Sequence, residues 1–474
     1  MAAKLAYASG TLSFSVKDVA FNSFVLFYYT SVVGLQGGLA GTVLFLSLAW
    51  DAVTDPVVGS ISDNLRTRWG RRHPLMAISG IPLALCLFAL FSVPDGLSQM
   101  EIFSWMLVVC MLLRTFLTLF TVPYLALGAE LSNDYQERSS ITGVRTIVGW
   151  LSAILLTACA WGLIFQGDDS GDGRLVRENY LTFGALSFLL IAAFTTLSTW
   201  TTARRIPQLP AGPPNPPPFS PRLLLSDILR AFENRNFLNL FLMLLTLGCA
   251  VGLNAALGTH MATYFWELST DQLLFAALSA LVPIAVMMFA MGPLNRRLEK
   301  QRVLQLCILI LLLNTLWLVP ARLLGILPEN GTPLLFPLVL LNAFVTTAMV
   351  IWFQTVSSSV IADISDEHEL LTGQRQEGMF FAAQGFSIKF VSGVGNFLGG
   401  VVIQIIDLPV GAEPGSVDSD VLFELGLAMG PLIAVFLAIP LIYAHRLQMS
   451  HAKHSEIRTA LDQRAPGTNS NRSP

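Results

Sequence analysis

Between residues 13 and 445 the chain returns repeatedly to apolar runs of about 20 residues, the length a helix needs to cross roughly 30 Å of hydrocarbon. That ruler gives roughly twelve runs. Six lie near 13–33, 38–61, 74–94, 102–126, 140–165 and 178–202, and six near 236–266, 270–294, 303–324, 332–361, 376–406 and 421–445. Only 12% of the residues are charged, about half the share of a soluble domain, and mean hydropathy is +0.62. So little polar surface cannot cover a water-soluble particle, and the expected fold class is an all-α membrane protein. A net charge of −3, with no basic stripe or zinc-ligand spacing, gives no sign of nucleic-acid binding. Cys86, Cys110, Cys159, Cys249 and Cys307 all fall inside apolar runs without paired spacing, so they read as small hydrophobes and not as a disulfide framework. Met1 to Phe14 carries Lys4 and no cleavage pattern, so no removable signal peptide is expected.

A different kind of segment separates the two sets of spans. Its run IPQLPAGPPNPPPFSP cannot form a regular helix, because proline lacks an amide donor and fixes φ. The expected division is an N-terminal bundle over 1–203, a polyproline-like linker over 204–235, a C-terminal bundle over 236–447 and a disordered tail over 448–474. Such a layout matches two parallel repeats that rock against each other. Arginine and lysine cluster in alternate loops: Arg66 to Arg72, Arg204 to Arg230, Arg296 to Arg302, and the tail. By the positive-inside rule these loops and both termini are cytoplasmic, in a plasma or inner membrane. The protein is expected to function as a monomer.

Charges within hydrocarbon cost about 2.5–3.5 kcal/mol each on insertion scales and usually face a cavity or a partner. The run AWDAVTDPVVG places Asp51 and Asp55 at i and i+4 on one helical face, beside Thr54. Two such carboxylates repel unless a cation lies between them, and hard oxygens suit Na⁺ while a raised carboxyl pKa suits H⁺. The bland alternative is a structural ion pair with an arginine. Arg114 and Thr118, also at i and i+4, sit near mid-depth of the fourth span: Thr118 can offer a hydroxyl, and Arg114 can neutralise one aspartate or take the cation's place. Arg145 lies one to two turns inside the fifth span and Lys389 is deep in the eleventh, too deep to reach water easily. His260 reads as a packing histidine, the phenylalanine-rich runs as lipid-facing bulk, and GVGNFLGG at 393–400 as close helix packing.

The loop GSISDNLRTRWGRRHP resembles an elongated form of the loop motif of the major facilitator superfamily, through Gly59, Asp63, Arg66, Gly70, Arg71 and Arg72. A degenerate echo, GPLNRRLEKQR, occupies the equivalent place in the second half. The segments WDAVTDP, VPYLALGAELSNDYQERSSITGVR and ADISDEHELLTGQRQEGMFFAAQGFSIKF resemble the glycoside–pentoside–hexuronide:cation symporters, the melibiose-permease-like branch. The resemblance implies a major facilitator fold of about twelve transmembrane helices in two six-helix bundles. It also implies a cation site at Asp51, Thr54, Asp55 and Thr118, and substrate or coupling positions at Arg145, Trp352, Gln384 and Lys389. A cytoplasmic gate would use Asp63, Arg66, Arg71, Arg72, Glu137 and Arg138, with Asp363, Asp366 and Glu369 pairing with the basic loops of the N-terminal half.

The chain also departs from that pattern. Where melibiose-type members carry two sugar-gripping carboxylates, ungapped alignment gives Ser15 and Thr121, and a short gap brings Asp18 to the first place. An arginine common before the first aspartate of the second span is Leu48 here, while Arg114 has arisen on the fourth span. The vertebrate sodium-coupled lysophospholipid transporters of the same branch share AWDAxTDPxVG, FxVPYxAL and the lysine of xKFxSGV. The expected function is therefore secondary active symport, coupled to Na⁺ or H⁺, of a sugar or glycoside by alternating access. A lysolipid-like or other amphiphilic substrate is the runner-up, and a non-transporting sensor or scaffold is disfavoured because the tail carries no signalling domain. No resident cofactor, nucleophile–base pair or enzymatic chemistry is expected.

Overall fold

The structure is a computed structural model that describes residues 2–132, 134–167, 171–209, 232–372, 377–448 and 451–464. The chain is helical almost throughout, with no extended strand among the described residues. Helix α1 (Ala2–Ala8) precedes α2, which starts at Thr11–Val19 and runs on through π-turns to Tyr28–Val32. There follow α3 (Gly37–Asn64), α4 (His73–Leu90), α5 (Gln99–Glu130), α6 (Gln136–Ile164) and α7 (Arg177–Ala203). The second half comprises α8 (Arg235–Phe265), α9 (Thr270–Arg297), α10 (Lys300–Leu323), α11 (Leu335–Thr372), α12 (Glu377–Ile405), α13 (Ser419–Arg446) and α14 (His451–Arg464).

Ten of these helices are long and apolar enough to cross a membrane among the described residues. The helical run over 11–32 and helix α12 occupy the places of the other two expected spans. Helices overrun the expected spans mainly at the arginine-bearing end. There α5 continues to Glu130 and α11 to Thr372, beyond the apolar stretch that marks the bilayer. Most of the proline-rich linker lies outside the described residues.

The two halves are tied together at one end. Gly38 donates from its amide to Gln404 Oε1 at 2.9 Å, the amide of Gly411 to Ser31 O at 2.8 Å, and Gln166 Nε2 to Asp271 Oδ1 at 3.2 Å. Between α3 and α12 the backbones almost touch: a Cβ on Gly41 would lie 2.9 Å from Phe397 O, and one on Gly400 would lie 2.9 Å from Gly41 Cα. Glycine is required here by the closeness of a neighbouring main chain. The expectation of close packing in GVGNFLGG agrees, since Gly395 is pressed in the same way against Gly252 and the amide of Leu253.

Two expectations are corrected. The phenylalanine runs are not simply lipid-facing. Phe24, Phe91, Phe165 and Phe183 are wholly buried and stack with Trp161, Tyr28 and Tyr180 as a plug in the N-terminal half. Composition cannot separate lipid contact from helix contact, because lipid tails are as apolar as the side chains. Nor is all of 448–474 disordered. Residues His451–Arg464 form α14, with Ile457 buried against the body, while 465–474 lie outside the described residues.

Candidate functional site

On α3 the helical repeat turns Asp51 and Asp55 to the same neighbour, α5. Asp51 is 2% exposed and accepts from Arg114 Nη1 at 3.0 Å. One turn on, Asp55 Oδ1 accepts from Thr118 Oγ1 at 2.9 Å, and the Thr118 hydroxyl lies 3.5 Å from that of Thr54. Two i, i+4 pairs on adjacent helices thus meet in register. Trp50 donates from Nε1 to Thr115 Oγ1 at 2.9 Å and fixes that register from the side.

Two prolines shape the same turns. Pro56 and Pro123 stand inside α3 and α5, and a proline deprives the carbonyl four residues earlier of its amide donor. The carbonyls of Ala52 and Leu119, next in sequence to Asp51 and Thr118, therefore lack an intrahelical amide donor. Carboxylate, hydroxyl and carbonyl oxygens are the ligand set that hard cations take. The Arg114 guanidinium also lies 4.9 Å from the centre of the Phe21 ring on α2, so one buried cation links three helices.

Contacts separate the two first-span candidates. Ser15 is buried and donates to Gly149 O on α6 at 2.9 Å, which spends its hydroxyl on helix packing. Asp18 is exposed and paired with Lys17, whose ammonium lies 6.0 Å from the Phe21 ring centre. Through that ring the Lys17–Asp18 pair adjoins Arg114. Thr121 is half-buried on α5, one turn beyond Thr118.

Two of the remaining expected substrate positions have neighbours elsewhere. Arg145 is half-buried on α6 beside Tyr7. Trp352 is buried and donates from Nε1 to Asn295 Oδ1 at 2.8 Å, tying α11 to α9 within the second half. Gln384 is half-buried on α12, and the side chain of Lys389 lies outside the described residues. His260 fits its packing role: it is wholly buried, with Nε2 3.0 Å from Thr30 Oγ1 across the junction of α2 and α8.

The gate residues form two clusters, and the pairing differs from expectation. In the first half, Arg72 bonds Asp63 at 2.7 Å and Ser62 at 2.8 Å, while Arg71 and Arg72 both donate to Glu130 Oε1 at 2.8 Å. Glu130 was not anticipated, although it is the carboxylate that ends the fourth span, facing the arginine loop. Glu137 accepts from Ser132 at 2.7 Å and lies 3.9 Å from Lys4. In the second half, Asp363 pairs with Lys300 at 2.6 Å, and Asp366 with Arg458 at 3.2 Å. His454 lies 3.4 Å from Asp363 and 3.5 Å from Asp366, and Lys453 reaches Glu367 at 2.5 Å. The expected pairing of Asp363 and Asp366 with the N-terminal half is thus corrected: their partners are α10 and the tail helix, which dock on the end of α11. Arg66, Arg138 and Glu369 are engaged as well.

Residues 6–451 match the family described as MFS/sugar transport protein. The chain belongs to that family. Among relatives of this MFS/sugar transport protein, the uncharacterized symporter sll1374 of Synechocystis sp. is 27% identical over 97% of this chain and 96% of its own. YagG of Escherichia coli (strain K12), whose name reads putative glycoside/cation symporter, is 25% identical over 84% of this chain and 81% of its own. The mouse (Mus musculus) sodium-dependent lysophosphatidylcholine symporter 1 is 36% identical, over 34% of this chain and 31% of its own. Among solved structures, a single-residue mutant of the nucleoside transporter NupG superposes with a TM-score of 0.64 at 16% identity, covering 94% of this chain and 100% of that one. That likeness bears on the fold alone, which is the major facilitator fold of an integral multi-pass membrane protein. Both the family and these relatives are transporters, not enzymes, in keeping with the absence of enzymatic chemistry expected from the sequence.

Proposed function

We propose that this chain is a secondary active symporter that couples a monovalent cation, Na⁺ or H⁺, to a sugar- or glycoside-type solute by alternating access. The observation that carries the reading is the oxygen cluster of Asp55, Thr118 and Thr54, set one turn from the Asp51–Arg114 pair. In this reading Arg114 neutralises Asp51, so the coupling ion meets one net negative charge at Asp55 together with hydroxyl and carbonyl oxygens. The arrangement favours a single monovalent ion over a divalent one, which would leave a buried charge uncompensated.

Asp18 and Lys17, with Arg145 and Lys389, would handle the solute from the space between the halves, and Thr121 stands where a second sugar-gripping carboxylate is absent. The seal at Gly41 and Gly400 defines one end state, closed on the side away from the arginine loops. Binding of ion and solute would then be linked to its parting. The arginine loops and both termini would face the cytoplasm of a plasma or inner membrane, with the linker joining bundles 1–203 and 236–447 of a monomer. One relative, whose name reads putative glycoside/cation symporter, supports the sugar reading.

A second reading has its own support. The lysophosphatidylcholine symporters match a third of the chain at 36% identity, and Thr121 weakens a site built to grip sugar hydroxyls. Counterflow in proteoliposomes tests both. Exchange of labelled glycosides, accelerated by Na⁺ or by low pH, supports the first reading. Exchange of lysolipids alone overturns its substrate, and no exchange of any solute overturns transport itself.

A further inference from the structure

Each half carries a groove between its third and sixth spans at the arginine-bearing end. In the first half, about 480 Å³ lies between the start of α4 and the end of α7, walled by Met76, Ala77 and Thr199 and flanked by Trp69 and Trp200. Trp200 is 68% exposed, and the Arg204 guanidinium lies 5.8 Å over its ring. In the second half, about 710 Å³ lies between the start of α10 and the end of α13, walled by Leu306, Leu309, Leu441 and Ile442 and rimmed by Arg302 and Arg446. Ile442 is 53% and Leu309 43% exposed. The two grooves occupy equivalent places in the repeat, yet their residues differ; only the chemistry recurs.

That chemistry is an apolar wall within hydrocarbon, topped by cations at the level where the helices leave the bilayer. The wall from Arg302 to Leu309 covers about 10 Å at 1.5 Å per residue. Glu299, 3.7 Å from Arg302, offsets one charge of the second rim, and Arg446 has no carboxylate partner among the described residues. Indole rings favour the same interfacial level and leave the groove below them to an acyl chain. A soluble peptide or sugar would gain nothing from the exposed leucines, and a neutral lipid nothing from the arginines. Basic pockets between spans bind anionic headgroups.

We propose that each groove is a binding site for one anionic phospholipid of the leaflet on the arginine-bearing side. The phosphate sits at Arg302 and Arg446, or at Arg204 over Trp200, and an acyl chain lies along the wall. The sites require only that the helices lie in a membrane and do not depend on what the protein transports.

Native mass spectrometry of the full chain, released from nanodiscs of mixed phosphatidylglycerol and phosphatidylcholine, tests this directly. Wild type should retain two phosphatidylglycerol molecules in preference to phosphatidylcholine. Arg302→Gln with Arg446→Gln should retain one fewer, as should Trp200→Ala with Arg204→Gln, each site's selectivity falling by about tenfold. Equal retention of the two lipids by wild type overturns the proposal without recourse to any variant. An unchanged phosphatidylglycerol count in both double variants overturns it as well. Excess inorganic phosphate should leave the lipid in place; displacement would overturn the acyl-chain contribution.

Discussion

Arg114 on α5 donates to Asp51 on α3 across 3.0 Å, with both side chains nearly excluded from solvent. Breaking a buried pair by removing one partner costs about 3–5 kcal/mol, because the other charge is left without compensation. Removing both charges avoids most of that penalty. Arg114→Ala should therefore lower the thermal midpoint strongly, and adding Asp51→Asn should recover much of it. A double variant no more stable than Arg114→Ala would mean that the pair is not coupled.

The neighbouring Asp55–Thr118 bond belongs to a different role, and its variants should separate binding from stability. Thr118→Ser keeps a hydroxyl near Asp55, whereas Thr118→Val removes it at nearly constant volume. A hydrogen bond to a charged group is worth about 1.5–3 kcal/mol and favours the ionised carboxylate. Thr118→Val should therefore shift the half-saturating coupling-ion concentration about tenfold, upward for Na⁺, which loses an oxygen ligand, and downward for H⁺. Thr118→Ser should stay close to wild type. Asp55→Asn should abolish concentrative uptake while the protein still inserts and purifies as a folded species. Cation-titrated uptake in vesicles measures all three; undiminished accumulation by Asp55→Asn would remove the ion from this cluster.

How far the sequence could be read follows from the range of each interaction. Asp51, Asp55, Arg114 and Thr118 were legible because two short i, i+4 spacings, on helices named by length alone, need only one rotation each to meet. The ends of α5 and α11 were not, since the apolar ruler measures hydrocarbon and both helices continue past it. The partners of Asp363 and Asp366 were missed because they come from Lys300 and from a tail helix that is mostly polar. Nothing in the periodicity of 451–464 marks a helix; Ile457 and the acids of α11 supply its reason to form. Alignment could not rank Ser15 against Asp18, whereas the contact with Gly149 shows that the Ser15 hydroxyl is already spent.

The tail helix is held by ion pairs with one partly exposed and one buried partner. Lys453, His454 and Arg458 are partly exposed, while Glu367, Asp363 and Asp366 are buried. Each pair is therefore stronger than the roughly 0.2–1 kcal/mol of an exposed one, but a departing helix uncovers those carboxylates to water. Lys453→Gln with Arg458→Gln should leave the midpoint of the membrane core almost unchanged. Amide hydrogen exchange over 451–464 should nevertheless rise severalfold, and more so at high salt in wild type. If exchange in that segment is indifferent to both the variant and the salt, Ile457 packing holds α14 in place and the acids of α11 do not.

The seal between α3 and α12 makes the sharpest conformational demand. Gly41 and Gly400 leave no room for a Cβ against the facing main chain, and backbone cannot yield as a flexible side chain can. Gly400→Ala should therefore push the halves apart at this end and destabilise the closed state relative to the state that opens there. Ser31, whose carbonyl receives the Gly411 amide, is buried in the same closure. A Ser31→Cys reporter should react slowly with a membrane-impermeant maleimide in an otherwise wild-type chain. It should react several times faster when combined with Gly400→Ala, and counterflow should slow because one half of the cycle has lost stability. A steric bias between two packed arrangements is enough to produce this effect. Equal labelling rates in the two backgrounds would show that the glycine contact is not what holds this end shut.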